Sequence, residues 1–132
     1  AIHKFARLLR CGEPIPMFGD GTTARDYTYI EDIVQGIEGS RGLLENSPGP
    51  LFEIINLGEN TTITLREMIK ILSEEMGVRA QIDQLPEQPG DVRQTYADVT
   101  KAQELLGYDP RWEFRDGVRM FLNWFEGTRE GL

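Results

Sequence analysis

The sequence predicts an α/β protein, or an α+β protein if these 132 residues are judged alone. Several stretches repeat apolar residues at the three- and four-residue spacing of amphipathic helices, and short runs of β-branched and aromatic residues lie between them. Clusters of Gly, Pro, Asn and Asp separate these stretches. We therefore expect about five helices, a few short strands and one buried strand.

The first segment is predicted to be helical and the second extended. Ile2, Phe5 and Leu9 recur at helical spacing, and Gly12 is typical of a residue that ends a helix. No Ser, Thr, Asp or Asn precedes this helix as a cap, which we interpret as a sign of a fragment. Pro14–Phe18 predicts an edge strand, because proline cannot donate a hydrogen bond to a neighbouring strand.

The middle of the chain predicts two further strands around a helix. Arg25–Ile30 is rich in aromatic and β-branched residues, as strands are. Glu31 and Asp32 favour the start of a helix, and the glycines within Gly36–Gly42 should weaken that helix. Leu51–Leu57 is nearly continuously apolar, which predicts a strand buried on both faces.

The last third predicts three helices and a short strand. Thr64 and Glu67 have the spacing of a capping box, in which each side chain binds the other residue's backbone N–H. Ala80–Leu85 alternates weakly and is a possible strand. A helix is expected over Asp98–Leu106, and the last helix from about Asp116.

Composition excludes several classes of function. The chain has 14 Lys and Arg against 22 Asp and Glu, so its net charge of −8 disfavours nonspecific binding to nucleic acid or to an anionic membrane. No apolar run reaches the ~20 residues of a membrane span. The single cysteine, Cys11, cannot form an internal disulfide, which suggests a reducing, cytoplasmic setting. A small phosphorylated ligand remains compatible, since one or two arginines can bind it locally.

Residues that could carry out catalysis are scarce. His3 is the only histidine, Cys11 has no histidine downstream, and no His/Cys cluster has the spacing of metal ligands. None of the four tyrosines has a lysine four residues later. The G-x-x-G-x-x-G pattern at Gly36–Gly42 follows helical residues rather than a strand, so it predicts a weakened helix and not a phosphate-binding loop. We assign no catalytic residue, cofactor contact or metal ligand to this chain.

Two arginines lie beside predicted turns. Arg25 follows the turn residues of G-D-G-T-T-A, and Arg93 follows P-G-D-V. An arginine at such a junction can donate paired hydrogen bonds to phosphate oxygens. It can equally form a surface salt bridge with a neighbouring acid, and the sequence leaves both interpretations open.

Two longer segments resemble a known family. They are Gly12–Ile37 (GEPIPMFGDGTTARDYTYIEDIVQGI) and Pro89–Pro110 (PGDVRQTYADVTKAQELLGYDP). In this order and at this distance they resemble the C-terminal half of the extended short-chain dehydrogenase/reductases that act on nucleotide sugars, above all the UDP-sugar 4-epimerases. The resemblance covers essentially the whole chain.

The resemblance implies that NAD and the nucleotide sugar are bound by different parts of the polypeptide. In this family an N-terminal Rossmann domain binds NAD through a glycine loop, and a Tyr-x-x-x-Lys pair there oxidises and re-reduces the sugar at C4. Residues 1–132 would be the C-terminal part that binds the nucleotide sugar, with the NAD-binding part absent and no activity alone. The full-length protein would be a homodimer.

The resemblance also implies contacts to a UDP-sugar. They are Pro16, Phe18, Arg25, Gln88, Asp91 and Arg93. Phe18 would pack on the uracil, and Arg25 would bind the diphosphate. The segment from Gln88 to Arg93 would close over the ribose and diphosphate. Some epimerases have an arginine where this chain has Gln88, and Arg93 could take its place.

Two other functions stay open at this point. The same lobe occurs in nucleotide-sugar 4,6-dehydratases, decarboxylases and reductases, and a non-catalytic nucleotide-binding or interaction module is a third hypothesis. The fragment is also expected to expose apolar surface and to self-associate. The apolar residues concerned are Ile33, Val34, Ile37, Ile54 and Ile55.

Overall fold

The computed structural model describes residues 1–127, and this part of the chain contains five helices and four short strands. The elements are α1 (Ile2–Cys11), β1 (Ile15–Phe18), β2 (Ala24–Arg25), α2 (Ile30–Glu45), β3 (Ile63–Thr64), α3 (Leu65–Met76), β4 (Ile82–Leu85), α4 (Thr100–Leu106) and α5 (Phe114–Gly127). The predicted mixture of helices and strands is confirmed. None of the helices within residues 1–127 is long and apolar enough to cross a membrane.

Helix ends follow the local signals in the sequence. α1 ends at Gly12, whose φ of 67° is left-handed and suits glycine. α3 begins with the predicted capping box, since Glu67 N–H donates to Thr64 Oγ1 and Thr64 N–H donates to Glu67 Oε2, both at 3.1 Å. Asp98 stays outside α4, where its Oδ1 accepts the N–H of Thr100 at 3.0 Å.

The main core lies between α1, α3, α5 and β1. Each helix contributes its apolar stripe, and Ile15 of β1 is completely buried among them. Ion pairs close the outer side of the α3–α5 contact, because Arg115 bonds to Glu74 at 2.6 Å and to Glu75 at 2.5 Å. Glu74 and Glu75 of α3 are therefore both ion-paired with α5.

The strands form two small sheets. β1 and β4 are parallel, with Ile15 opposite Ile82 and Phe18 opposite Leu85. β2 and β3 are antiparallel, with Ala24 opposite Thr64. Within residues 1–127 β1 pairs with β4 alone, so the edge position predicted from its prolines is confirmed.

The strand predicted over Arg25–Ile30 is wrong beyond its first residue. Only Ala24–Arg25 pairs as a strand, and Ile30 already belongs to α2. The backbone N–H of Asp26 donates to the Thr95 side chain at 3.3 Å instead of to a neighbouring strand. Side-chain contacts in the tertiary structure thus override the local preference for β structure.

α2 is continuous through its glycines, and two of them lie against other segments. A Cβ on Gly36 would lie 2.5 Å from the methyl groups of Leu57, and a Cβ on Gly39 would lie 3.0 Å from the Cβ of Leu106. These glycines therefore let the 57–58 segment and α4 approach α2 closely.

The strand predicted over Leu51–Leu57, which the resemblance assigns to a parallel sheet that the absent part would complete, is not formed among the described residues. This segment has no strand partner within residues 1–127. Phe52 is 86% exposed and Ile54 is 74% exposed. A continuous apolar run indicates burial, but a strand also needs a neighbour that supplies backbone hydrogen bonds, and the described residues supply none here.

Candidate functional site

The predicted site lies where β2 meets a distant segment of the chain. Ala24 N–H donates to the carbonyl of Arg93 at 2.8 Å, and Thr95 N–H donates to the carbonyl of Ala24 at 3.2 Å. β2 is therefore held between β3 on one side and the backbone of residues 93–95 on the other. This pairing brings residues about 70 positions apart in the chain into one surface.

Arg25 is held by two acceptors at this surface. Its Nη2 lies 2.6 Å from Asp91 Oδ1, and its Nη1 donates to the carbonyl of Ala24 at 2.8 Å. The Arg25 side chain is 30% exposed and that of Asp91 is 42% exposed. The salt bridge considered from the sequence is thus present, with an acid that is remote in the chain. Its exposure leaves the guanidinium accessible to a ligand.

The segment that carries Asp91 is a tight turn. Asp91 N–H donates to the carbonyl of Gln88 at 3.2 Å, and Gly90 within the turn has a φ of 85°, which favours glycine. The side chain of Gln88 is exposed at the start of this turn. The pair of Arg25 and Asp91 fastens the turn to β2.

A polar cavity of about 240 Å³ lies beside this surface. Arg93 lines it together with Asp20, Glu87 and residues 22–24. The loop on its other side is built by Asp20, whose Oδ1 accepts the N–H of Thr22 at 2.9 Å and its hydroxyl at 2.6 Å. Arg93 supplies the positive charge of the cavity among these residues.

The two predicted uracil contacts lie on β1. Pro16 and Phe18 are half-buried and share one face of the strand, since side chains alternate along it. Phe18 is at the strand end, directly before Gly19, whose carbonyl accepts the Gln84 side-chain amide at 3.2 Å. The structure therefore gathers Arg25, Asp91 and Arg93 around β2, with Phe18 at the adjoining strand end and Pro16 farther along β1.

Asp26 holds several segments of this surface together, and its role was not predicted from the sequence. Its Oδ1 accepts the N–H of Glu59 at 2.9 Å, and its Oδ2 accepts the N–H of Ala97 at 3.1 Å. It therefore joins three segments next to Arg25. A possible signal was an acid placed directly after the arginine at the end of a strand, where its carboxylate can satisfy loop N–H groups.

Two further acids, the buried Asp32 and the half-buried Glu59, lie near Asp26. Asp32 is 3% exposed, and its two oxygens accept the N–H groups of Arg111 at 3.1 Å and Trp112 at 3.0 Å. Burial, together with the negative charge of Asp32, raises the pKa of Glu59 to about 7. Burial first, and then the charge of Glu59, raises the pKa of Tyr108 to about 12.

The glycine pattern of α2 does not fit the pyrophosphate of NAD. All three glycines lie inside the helix, and Leu57 and Leu106 also cover Gly36 and Gly39, so the pattern does not open a helix whose free N–H groups face a ligand. Glu31 in the first turn of α2 would repel a phosphate there. Within residues 1–127 no group of three or more His, Cys, Asp or Glu side chains is arranged to hold a metal ion.

Comparison with known proteins gives consistent matches. A family model described as GDP-mannose 4,6 dehydratase matches residues 1–121. A UDP-glucuronate 4-epimerase of Thermodesulfobacterium geofontis is 37% identical over 94% of this chain and 37% of its own length. An uncharacterised protein of Methanocaldococcus jannaschii is 36% identical over 100% of this chain and 39% of its own length.

A solved structure shows the same fold. It is a UDP-glucuronic acid 4-epimerase from Bacillus cereus in complex with UDP-glucuronic acid and NAD. Its TM-score is 0.86 at 31% identity, over 97% of this chain and 40% of that chain. The present chain thus spans about two fifths of the length of the proteins it matches.

Proposed function

This chain belongs to the GDP-mannose 4,6-dehydratase family, and from that premise we propose that it is the nucleotide-sugar-binding part of a UDP-sugar 4-epimerase. The epimerases among its relatives and structural neighbours support this reaction. The observation that carries the proposal is the accessible guanidinium of Arg25, held at the surface where Asp91 and Arg93 also lie.

Arg25 and Arg93 would bind the diphosphate. A guanidinium donates paired hydrogen bonds that match phosphate oxygens, and two cations can balance two phosphate charges. The carbonyl of Ala24 and the carboxylate of Asp91 already orient Arg25, so little side-chain freedom is lost when a ligand arrives. The diphosphate would take up the donors of Arg25 that Asp91 now occupies.

Asp91 would then bind the ribose. A carboxylate accepts hydrogen bonds from two neighbouring hydroxyl groups, which a ribose offers. The turn from Gln88 to Asp91 would close over the sugar of the nucleotide, while Phe18 and Pro16 would pack against the base. In this proposal Asp91 changes partner from Arg25 to the ribose when the nucleotide binds.

NAD would be bound by another part of a longer polypeptide. NAD-bound epimerases among the structural neighbours support its use, and NAD would accept and return the hydride at the sugar carbon. The proposed task of the residues described here is to bind and orient the nucleotide end of the substrate. Residues 1–132 would be inactive alone.

Calorimetric titration of the chain with UDP tests this function. Arg25→Ala should weaken binding by about 10- to 100-fold, because a hydrogen bond to a charged group contributes about 1.5–3 kcal/mol. Arg7→Ala is the matched control, since Arg7 is an exposed arginine on α1, away from β2. It should bind UDP as the wild type does.

Uridine separates the phosphate contact from the base contact. Because uridine has no phosphate, Arg25→Ala should leave its binding unchanged, whereas Phe18→Ala should weaken both ligands. If Arg25→Ala binds UDP as tightly as the wild-type chain, Arg25 does not bind the diphosphate and the proposal fails.

The matched family model supports a second candidate, the corresponding part of a GDP-sugar 4,6-dehydratase. The two candidates differ in the base that must fit beside Phe18. Competition between UDP and GDP distinguishes them: preference for UDP supports the epimerase, and preference for GDP supports the dehydratase.

An apolar surface on α2 supports the proposed longer polypeptide. Ile30 is 60% exposed, Val34 is 47% exposed and Ile37 is 57% exposed, and they follow one another at helical spacing. We propose that an NAD-binding part covers this stripe and the exposed Ile54. Light scattering of the isolated chain should then show self-association, and Ile37→Glu should reduce it. A stable monomer at high concentration would contradict this.

A further inference from the structure

A groove between α3 and β4 combines apolar and cationic side chains. It has a volume of about 440 Å³, and no acidic residue among residues 1–127 lines it. It shares no lining residue with the cavity that contains Arg93. We call it the basic groove, and its apolar and cationic lining residues are Met17, Ile69, Ile82, Arg66, Lys70 and Arg79.

The cations of the basic groove are weakly neutralised by the chain itself. Within residues 1–127 the Arg79 side chain has no hydrogen-bonding or ion-pairing partner, and Arg66 donates to the backbone carbonyl of Asp20 at 2.6 Å. Lys70 Nζ lies 3.8 Å from Glu74 Oε1, which is beyond hydrogen-bond distance. The arginines of this part of the chain that do pair with acids are Arg10, Arg25, Arg41, Arg111, Arg115 and Arg119. Because the chain has a net charge of −8, cations left so weakly paired indicate a surface for an anionic partner.

The outer edge of β4 borders the basic groove. The carbonyls of Gln81 and Leu85 accept N–H groups from β1 and the residue after it, at 2.8 Å and 2.9 Å. Successive residues of a strand direct their backbone groups to opposite edges, so those of Ile82 and Gln84 point away from β1. Within residues 1–127 β4 has no second strand as a neighbour, and it contains neither lysine nor proline, which commonly protect an edge. Such an edge can pair with another extended chain.

We propose that the basic groove binds an extended acidic peptide segment of a partner protein, which adds as a third strand to the outer edge of β4. Main-chain hydrogen bonds to Ile82 and Gln84 hold the segment in place. Every second side chain of the segment faces α3, where its acidic groups meet Arg66, Lys70 and Arg79. An apolar side chain between two acids packs against Ile82, which is 44% exposed.

An acidic segment matches the basic groove better than other occupants do. A small anion such as phosphate would bind the cations but leave the edge of β4 and the apolar side chains uncovered. A second copy of the chain, paired edge to edge through β4, would bring two sets of like charges together. Asp83, the acid of β4, lies on the opposite face of the strand from Ile82 and does not line the groove.

Titration of the whole chain with a synthetic peptide tests the proposal. The peptide Thr-Glu-Thr-Val-Thr-Glu-Thr, with blocked ends, presents two glutamates and the valine on one face when it is extended. Replacing both glutamates with lysine should weaken its binding by about 10-fold or more, and added salt should weaken the binding of the glutamate peptide. The amide NMR signals of Ile82 and Gln84 should shift on binding. Equal affinity for the two peptides, or shifts confined to other parts of the chain, would overturn the proposal.

Substitutions in the chain test the ion pairs. Lys70→Ala together with Arg79→Ala should weaken binding of the glutamate peptide by about 10-fold, since each exposed ion pair contributes up to about fivefold. Arg7→Ala, at an exposed arginine on α1, should bind the peptide as the wild type does. UDP should not compete with the peptide, so the result does not depend on the proposed function. Unchanged binding by the double variant would contradict the proposal.

Modified peptides test the addition of a strand. In one version the threonine nitrogens are methylated, and in the other the nitrogens of the glutamates and the valine. One version should lose binding and the other should keep it, because only alternate N–H groups of an added strand face β4. If both versions bind as the unmodified peptide does, or if inorganic phosphate binds the groove while the peptide does not, the proposal is wrong.

Discussion

Replacing Gly58 with alanine should destabilise the chain, because the added methyl group does not fit between Asp26 and Ala97 beside Arg25. A Cβ at position 58 would lie 2.5 Å from the Cβ of Ala97 and 2.8 Å from Asp26 Oδ2. Carbon atoms in contact are normally about 3.5–4.0 Å apart, so the neighbours must move by about 1 Å. Neither neighbour is the free end of a flexible chain, because Asp26 is held by the N–H groups of Ala97 and Glu59. The strain is steric, since the φ of Gly58 is not positive.

Three contributions determine how much Gly58→Ala changes the free energy of unfolding. Overpacking typically costs about 1–3 kcal/mol, and a lost hydrogen bond to a charged group costs about 1.5–3 kcal/mol. Alanine restricts the unfolded chain more than glycine, which offsets about 0.4–1 kcal/mol. We therefore expect Gly58→Ala to lower the free energy of unfolding by about 3 kcal/mol, or the urea midpoint by about 1.5 M.

Urea unfolding followed by circular dichroism measures this change. Gly42→Ala is the matched control, since a Cβ there would meet no atom within 4 Å and the residue lies within α2. The control should raise the stability by about 0.5–1 kcal/mol. A Gly58→Ala variant that unfolds at the wild-type midpoint or above it would refute the argument that Asp26 and Ala97 are packed too rigidly to make room for a methyl group at position 58.

Two further substitutions test the local framework. Thr64→Ala removes the hydroxyl that accepts the Glu67 N–H and should lower the free energy of unfolding by about 1 kcal/mol, whereas Thr64→Ser should restore most of it, as urea unfolding would show. Tyr108→Phe leaves the carbonyl of Gly58 without its buried donor and should cost about 1 kcal/mol, seen as a lower melting temperature. An unchanged melting temperature would mean that water satisfies this carbonyl.

The sequence correctly predicted features that depend only on residues close together in the chain. The end of α1 at Gly12 and the capping box of Thr64 and Glu67 each depend on backbone groups only a few residues away.

Errors arose where the structure depends on distant residues. The pattern of Leu51–Leu57 predicts a buried strand, yet a strand requires a partner that no residue in this part of the chain supplies. The glycines of α2 indicated a weaker helix, but not that Gly36 and Gly39 also give room to Leu57 and Leu106. Sequence spacing cannot show which distant side chain will fill the space that a glycine leaves.

For the candidate site, the sequence by itself determined the residue types, the likeness to nucleotide-sugar epimerases and the two turns that carry Arg25 and Asp91. Only the tertiary structure decided that these two side chains meet at 2.6 Å across 66 residues. It alone also showed that the Glu59 backbone N–H donates to the Asp26 carboxylate next to them. The ligand contacts of Arg25, Asp91 and Arg93 remain predictions. The physical reason for the division is that turns and caps are formed by neighbours in the chain, whereas ion pairs and buried carboxyl clusters depend on how separate segments pack.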